Sequence, residues 1–232
     1  MRRILVLAVA MFLTSAVQAQ KGKIFTAEDF TQNAPQCSKG TTSFMVQVGP
    51  KLPVYQIRLI EDPVTAETAT LHHVGTIEIS QAGSVRQSID VNSIWDDSLC
   101  NFFEMTDVNF DGYLDIAVLR DAGAKWMRRD YYVFDPSSGR FVTNALTDDL
   151  AQVKSSRIVL NHETEEIRAP FFKGRCTGED IYRVENGRLE KIQEQDVTPR
   201  GDECRITIKQ SLHGNWEVVR TSRTLDMGDP GF

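Results

Sequence analysis

The stretch DVNFDGYLD, Asp107 to Asp115, gathers oxygen-bearing side chains at a spacing that suits a hard cation. Counting Asp107 as the first position, Asn109 is third, Asp111 fifth, Gly112 sixth, Tyr113 seventh and Asp115 ninth. Calcium takes six to eight oxygens at roughly 2.3–2.6 Å, and alternate side chains converge on such an ion when the backbone curls around it. Gly112 admits the sharp turn, the Tyr113 carbonyl can point inward, and Asp115 can close the set. Without an ion, three neighbouring carboxylates repel one another. The loop is not an EF-hand, because its twelfth position is Val118 where that motif uses a bidentate glutamate. The run Leu114–Leu119 that follows is apolar and reads as a buried strand, so Asp115 is both ligand and strand entry. The plain reading of the same residues is a solvated acidic turn.

Other chemistry is thinner. Paired acids occur at Asp96-Asp97, Asp148-Asp149 and Glu163/Glu165/Glu166, and a glycosidase needs two carboxylates about 5–10 Å apart. Acids at this density are ordinary on an acidic surface. His72 and His73 are adjacent, so on a strand they point to opposite faces and cannot share a metal. His162 and His213 stand alone, and there is no HExxH, no GxSxG and no glycine-rich phosphate loop. Nothing beside Cys204 in GDEC supplies a base for a nucleophile. Trp126 with Arg128 has the composition of a protein-binding hot spot, or, if buried, of a cover on a sheet edge. The sequence therefore argues for a binding protein and not an enzyme.

The elements that must position these residues are mostly short strands. Ser43–Val48 and Val54–Ile60 flank GPKLP, Val74–Ile79 and Val85–Val91 flank QAGS, and Asp130–Phe134 and Arg140–Thr143 flank DPSSG. Ile181–Val184 and Leu189–Gln193 flank ENGR, whose Asn186-Gly187 pair marks a tight hairpin, and Cys204–Lys209 and Trp216–Arg220 flank SLHGN. Successive hairpins predict an all-β antiparallel meander, a sandwich, barrel or propeller. Thr26–Phe30 and Thr147–Val153 predict short helical turns, with acids near their starts, and the tail after Thr224 reads as frayed.

The first residues, MRRILVLAVAMFLTSAVQAQ, read as a secretory signal peptide over 1–19: basic Arg2 and Arg3, apolar Ile4–Leu13, and small residues before a cut after Ala19. Residues 20–232 then form a single β domain, periplasmic or secreted, with no membrane span. Cleavage removes two arginines and no acid, taking the formal net charge from −6 to −8. That disfavours nucleic acid and anionic membrane and suits a basic protein partner. The four cysteines, Cys37, Cys100, Cys176 and Cys204, allow three pairings. An exported chain favours disulfides over free thiols, and Cys176–Cys204 with Cys37–Cys100 is the preferred set because the later two share the C-terminal strand region.

The run DVNFDGYLDIAVL resembles the calcium loop of FG-GAP or VCBS-type repeats, known from β-propellers. The wider stretch from Val74 to Asp196, with GTIEISQAGSVRQSIDV, DVNFDGYLDIAVLRDAGAKWMRRDYYVFDPSSGRFV and IYRVENGRLEKIQEQD, is similar to a group of small exported bacterial proteins that includes periplasmic immunity proteins inhibiting lysozyme-like peptidoglycan hydrolases. The resemblance implies a β-propeller-like fold and a structural calcium held by Asp107, Asn109, Asp111, the Tyr113 carbonyl and Asp115. It also implies a partner such as a basic lysozyme-like hydrolase. Lipid-anchored members of the group carry a cysteine at the processing site, and none follows Ala19 here. An adhesion module of the FG-GAP type and an unrecognised periplasmic hydrolase are the alternatives. A single calcium loop speaks against the former, since such modules repeat it.

Overall fold

A computed structural model describes residues 23–32, 41–62, 72–95, 102–212 and 214–225. The expected signal peptide, the Cys37–Cys100 pair, Asp96-Asp97, His213 and the tail beyond 225 lie outside the described residues. The rest is mostly antiparallel β with two short helices, as the hairpin punctuation predicts.

Among the described residues three sheets follow one another along the chain. The first holds β1 (Ile24–Phe25), β2 (Thr41–Val46), β3 (Tyr55–Glu61), β4 (His72–Gln81) and β5 (Ser84–Trp95). The second holds β6 (Phe103–Thr106), β7 (Asp115–Gly123), β8 (Trp126–Asp135) and β9 (Arg140–Val142). The third holds β10 (Val159–Asn161), β11 (Glu166–Lys173), β12 (Cys176–Glu185), β13 (Arg188–Arg200), β14 (Glu203–Leu212) and β15 (Asn215–Leu225). Each strand pairs antiparallel with the next within its sheet, except for the short parallel pair of β1 with β2. The turns behave as their residues dictate: Asn186 and Gly187 both take positive φ, 52° and 71°. In DPSSG, Asp135 accepts from the Ser137 and Ser138 hydroxyls and the Ser137 amide, which hold its carboxyl down at about 2.

The second sheet is covered on both faces. Ile116, Val118 and Phe134 face the large core shared with the first sheet, including Phe44, Ile57 and Ile77. The intervening Ala117, Tyr131 and Val133 face Ile167 of β11 and the helix α2 (Ala145–Leu150) through Leu146 and Leu150. Burial on two faces is why 116–119 reads as an unbroken apolar run instead of an alternating one.

Helix α1 (Ala27–Gln32) begins where expected, with Asp29 accepting from the Thr26 amide and hydroxyl. Helix α2 begins earlier than the sequence suggests. Asn144 caps it, accepting from the Thr147 amide at 3.1 Å, while Thr147 accepts from the Asn144 amide at 2.8 Å. Thr147 is thus the third helical residue and not the first. No helix among the described residues is long and apolar enough to cross a membrane.

Candidate metal centre

The acidic loop joins β6 to β7 and sits where the three sheets meet. On one side the Leu114 amide donates to the Val48 carbonyl at 2.8 Å, and the Tyr113 ring lies over Gly49, where an added Cβ would come within 2.5 Å of it. On the other side Val108 belongs to the second core cluster, and Phe110 meets His162, after β10, edge to face at 5.3 Å. Two loop residues hold left-handed backbone: Gly112 at φ 86°, which suits a glycine, and Phe110 at φ 62°, which a bulky side chain resists. Strain of that kind persists only where the surroundings impose it.

Within the loop every predicted side chain turns toward the backbone curl. Asp107 accepts from the Asp111 amide at 3.0 Å and the Gly112 amide at 3.0 Å. Asp111 accepts from the Tyr113 amide at 2.9 Å and from the Asn109 side-chain amide at 2.9 Å, and Asn109 accepts from the Asp111 amide at 3.3 Å. These are the Asx-type bonds that short polar side chains make in turns. Asp115 is the exception in depth. It is 0% exposed, and its two oxygens accept from the Val108 amide at 3.0 Å and the Phe134 amide at 2.8 Å, the latter across the sheet on β8.

Asp115 has hydrogen bonds but no counter-charge among the described residues. Burial pushes its carboxyl up to about 8 against the pull of the two amides, and Asp111 and Asp107 push it further the same way. Burial is also the largest cause raising Asp107, with Asp111 adding to it and His162 opposing. Each carboxylate oxygen has two lone pairs, so the amides leave acceptor capacity on Asp115. Charge and donor type both fit a hard divalent cation. The cage is not closed: among the described residues no three His, Cys, Asp or Glu side chains form a group that could hold a metal. Asn109 and the Tyr113 carbonyl would complete the set, the second lone pair of Asn109 Oδ1 being left beside the Asp111 amide.

Cys176 and Cys204 are bonded, tying β12 to β14 with Cα atoms 5.8 Å apart, as expected. Trp126 and Arg128 flank the β7–β8 hairpin end. Trp126 is half-buried, packs over Gly123, and carries Lys154 at 4.9 Å and Arg128 at 5.9 Å from its ring. Arg128 forks onto Asp121 through Nε at 2.8 Å and a second nitrogen. His72 and His73 lie on successive positions of β4, and His73 Nε2 is 2.8 Å from Asn92 Oδ1.

The sequence did not reveal the cleft beside the loop. A hollow of about 420 Å³ opens between β6–β8 and residues 156–160, floored by Phe103, Val108 and Tyr131 and edged by Glu104, Arg129 and Arg157. A groove of about 530 Å³ continues from it past Glu104 to Asp107 and His162. No signal in the sequence points to it, since its walls come from segments about 50 residues apart. Comparison with known proteins finds no family model, no curated relative and no solved structure that matches this chain.

Proposed function

We propose that this is an exported calcium-binding β protein that binds and inhibits a cell-wall hydrolase. The four-stranded up-and-down order β6-β7-β8-β9 is that of a propeller blade, which supports the propeller-like reading. The observation that carries the metal is Asp115: a carboxyl buried at the junction of all three sheets, beside two more acids, with no Lys, Arg or His paired to it among the described residues. Calcium held by Asp107, Asn109, Asp111, the Tyr113 carbonyl and Asp115 would offset that charge. Its role is structural. The loop orders the approach of the first sheet through Leu114 and of the third through Phe110, so filling it stiffens the surface that meets the partner. The acidic surface steers a basic hydrolase toward it.

Calorimetric titration with calcium, with melting followed in calcium and in chelator, tests the metal. Heat on titration and a raised melting temperature are expected; the absence of both removes the site. A turbidity assay with a purified lysozyme-like muramidase then tests the role. The expected result is inhibition that weakens in chelator, and undiminished lysis at saturating protein defeats it.

A hydrolase reading has one observation in its favour, that Glu104 and Asp107 share a groove. Asp107 is bound to two loop amides, which suits a ligand better than a mobile acid. Glycan cleavage by the purified chain, abolished in Glu104→Gln, would establish it.

A further inference from the structure

The outer half of the third sheet differs from the rest of the molecule in what it leaves uncovered. Leu212, Trp216, Val218 and Val219 are 40%, 45%, 61% and 47% exposed, on the last two strands of the sheet order. β15 has no neighbour on its outer side among the described residues, so its outward N–H and C=O groups are free to pair. The bulge at Val219, between the pairs Ile208↔Arg220 and Lys209↔Val218, is the device that twists this edge.

Directly opposed residues share a face. Ser211↔Trp216, Lys209↔Val218, Thr207↔Thr221 and Arg205↔Arg223 therefore form one continuous strip, apolar at the hairpin tip and basic toward the other end. The last pair sets two exposed arginines across from each other, an arrangement that costs stability when nothing neutralises it. Five other cations on this sheet are matched. Lys173 meets Asp196, Lys191 meets Asp180, Lys209 meets Glu194, Arg183 meets Glu166 and Arg168 meets Glu179. Arg205 and Arg223 have no such partner among the described residues, within a chain whose net charge is −6. Arg205 and Arg223 are set apart by being cations, unpaired among the described residues, placed directly opposite each other.

We infer that the β14–β15 hairpin is a docking surface for an acidic, extended segment of a partner protein, laid along β15 as an added strand. The edge supplies main-chain pairing, Trp216 and Val218 receive apolar side chains, and the Arg205–Arg223 pair receives carboxylates. Main-chain pairing is what selects a polypeptide over an anionic glycan, which has no matching row of donors and acceptors. This surface is separate from the calcium loop and does not rest on the hydrolase reading.

The test uses the full chain and a fluorescein-labelled decapeptide of alternating glutamate and valine, read by anisotropy at physiological salt. Saturable binding is expected, weakened at least tenfold in R205E/R223E and in W216A/V218A. N-methylation of alternate residues of the peptide is expected to weaken it comparably. R205Q/R223Q, which removes charge without reversing it, guards against a folding defect and is expected to fall between. Equal binding to R205E/R223E overturns the proposal, and so does equal binding of the N-methylated peptide, which would leave charge alone. Binding that emerges only after deletion of residues 226–232, with their Asp226 and Asp229, overturns it in favour of the chain's own tail. Dimerisation through β15 in sedimentation, abolished by W216A/V218A, overturns it in favour of a second copy.

Discussion

Ile116 and Val218 are both β-branched residues in the body of a strand, yet the first is 0% exposed and the second 61%. Ile116 sits in a sheet packed on both faces, between the aromatic core of the first sheet and the second cluster with α2 and β11. Val218 sits on the edge of a sheet whose outer part carries only a small, disulfide-centred cluster among the described residues, joining Cys176, Val197 and Cys204. One region is held by burial; the other by its hydrogen-bonded ladder, one covalent bond and a row of ion pairs. The same β-propensity serves both, so propensity places a strand without saying what holds it there.

The largest test of that contrast lies in the buried sheet. Phe134→Ala removes a ring packed against Tyr55, Tyr113 and Phe141, and should cost about 3–5 kcal/mol in urea unfolding. Trp216→Ala should change stability by no more than about 0.5 kcal/mol, as surface substitutions do. Equal costs would mean that β15 is covered in the native protein. Asp115→Ala belongs with the large effects, because it orphans the Val108 and Phe134 amides at about 1–3 kcal/mol each. It should also remove any stabilisation by calcium, separating the loss of the ligand from the loss of the hydrogen bonds.

Replacing Cys176 and Cys204 with serine tests the second region. The bond spans 28 residues and should be worth about 2–4 kcal/mol. Its loss should show in hydrogen exchange as faster opening of β12–β15, with β7 and β8 unchanged. Uniform opening across both sheets would show that they unfold as one unit and that the contrast is only static.

What was legible in the sequence follows the same division. Turn chemistry is local, so DPSSG, QAGS and ENGR located their hairpins. The acidic turn was legible as the entry to a buried strand, because Gly112 and the apolar residues after Asp115 mark both locally. Strand lengths were not: β13 runs through Glu190, Gln193 and Gln195, which follow no hydrophobic period because little covers them. β11 was missed because Pro170 reads as a break. Yet β10 pairs only as far as Val159↔Arg168, so Pro170 lies past the end of that ladder, where its missing N–H costs nothing. The short strand β6 carries too few residues to show a period. The long-range partner of Asp115, the Phe134 amide, lies 19 residues away and leaves no trace in local spacing.

A pH series sharpens the comparison by charge. Asp115 binds a proton more tightly folded than unfolded, with its carboxyl raised from the ordinary carboxylate range to about 8. Between those values the folded state holds more protons, so without metal the stability should fall as pH rises from about 4 to 8. Calcium favours the ionised carboxylate and should flatten or reverse that slope. Melting in chelator at a series of pH values checks it, and a slope already flat without metal would mean that Asp115 ionises at no cost.

The smallest effect is expected at the join of the two regions. Arg188, at the start of β13, forks onto Asp149 of α2 with Nε at 2.6 Å and a second nitrogen at 2.8 Å, holding the aspartate carboxyl low. The geometry is favourable, but the arginine is more than half exposed, so solvent screens the pair. Arg188→Ala should therefore cost about 0–1 kcal/mol and less in high salt. The Leu189 amide still donates to Asp149 at 3.1 Å, so the main-chain half of the join survives the substitution. A double-mutant cycle with Asp149→Ala separates the two contributions: the coupling reports the ion pair and should shrink in high salt, while a cost of Asp149→Ala that remains in the Arg188→Ala background would mean that the backbone bond, rather than the ion pair, fastens the third sheet to the second.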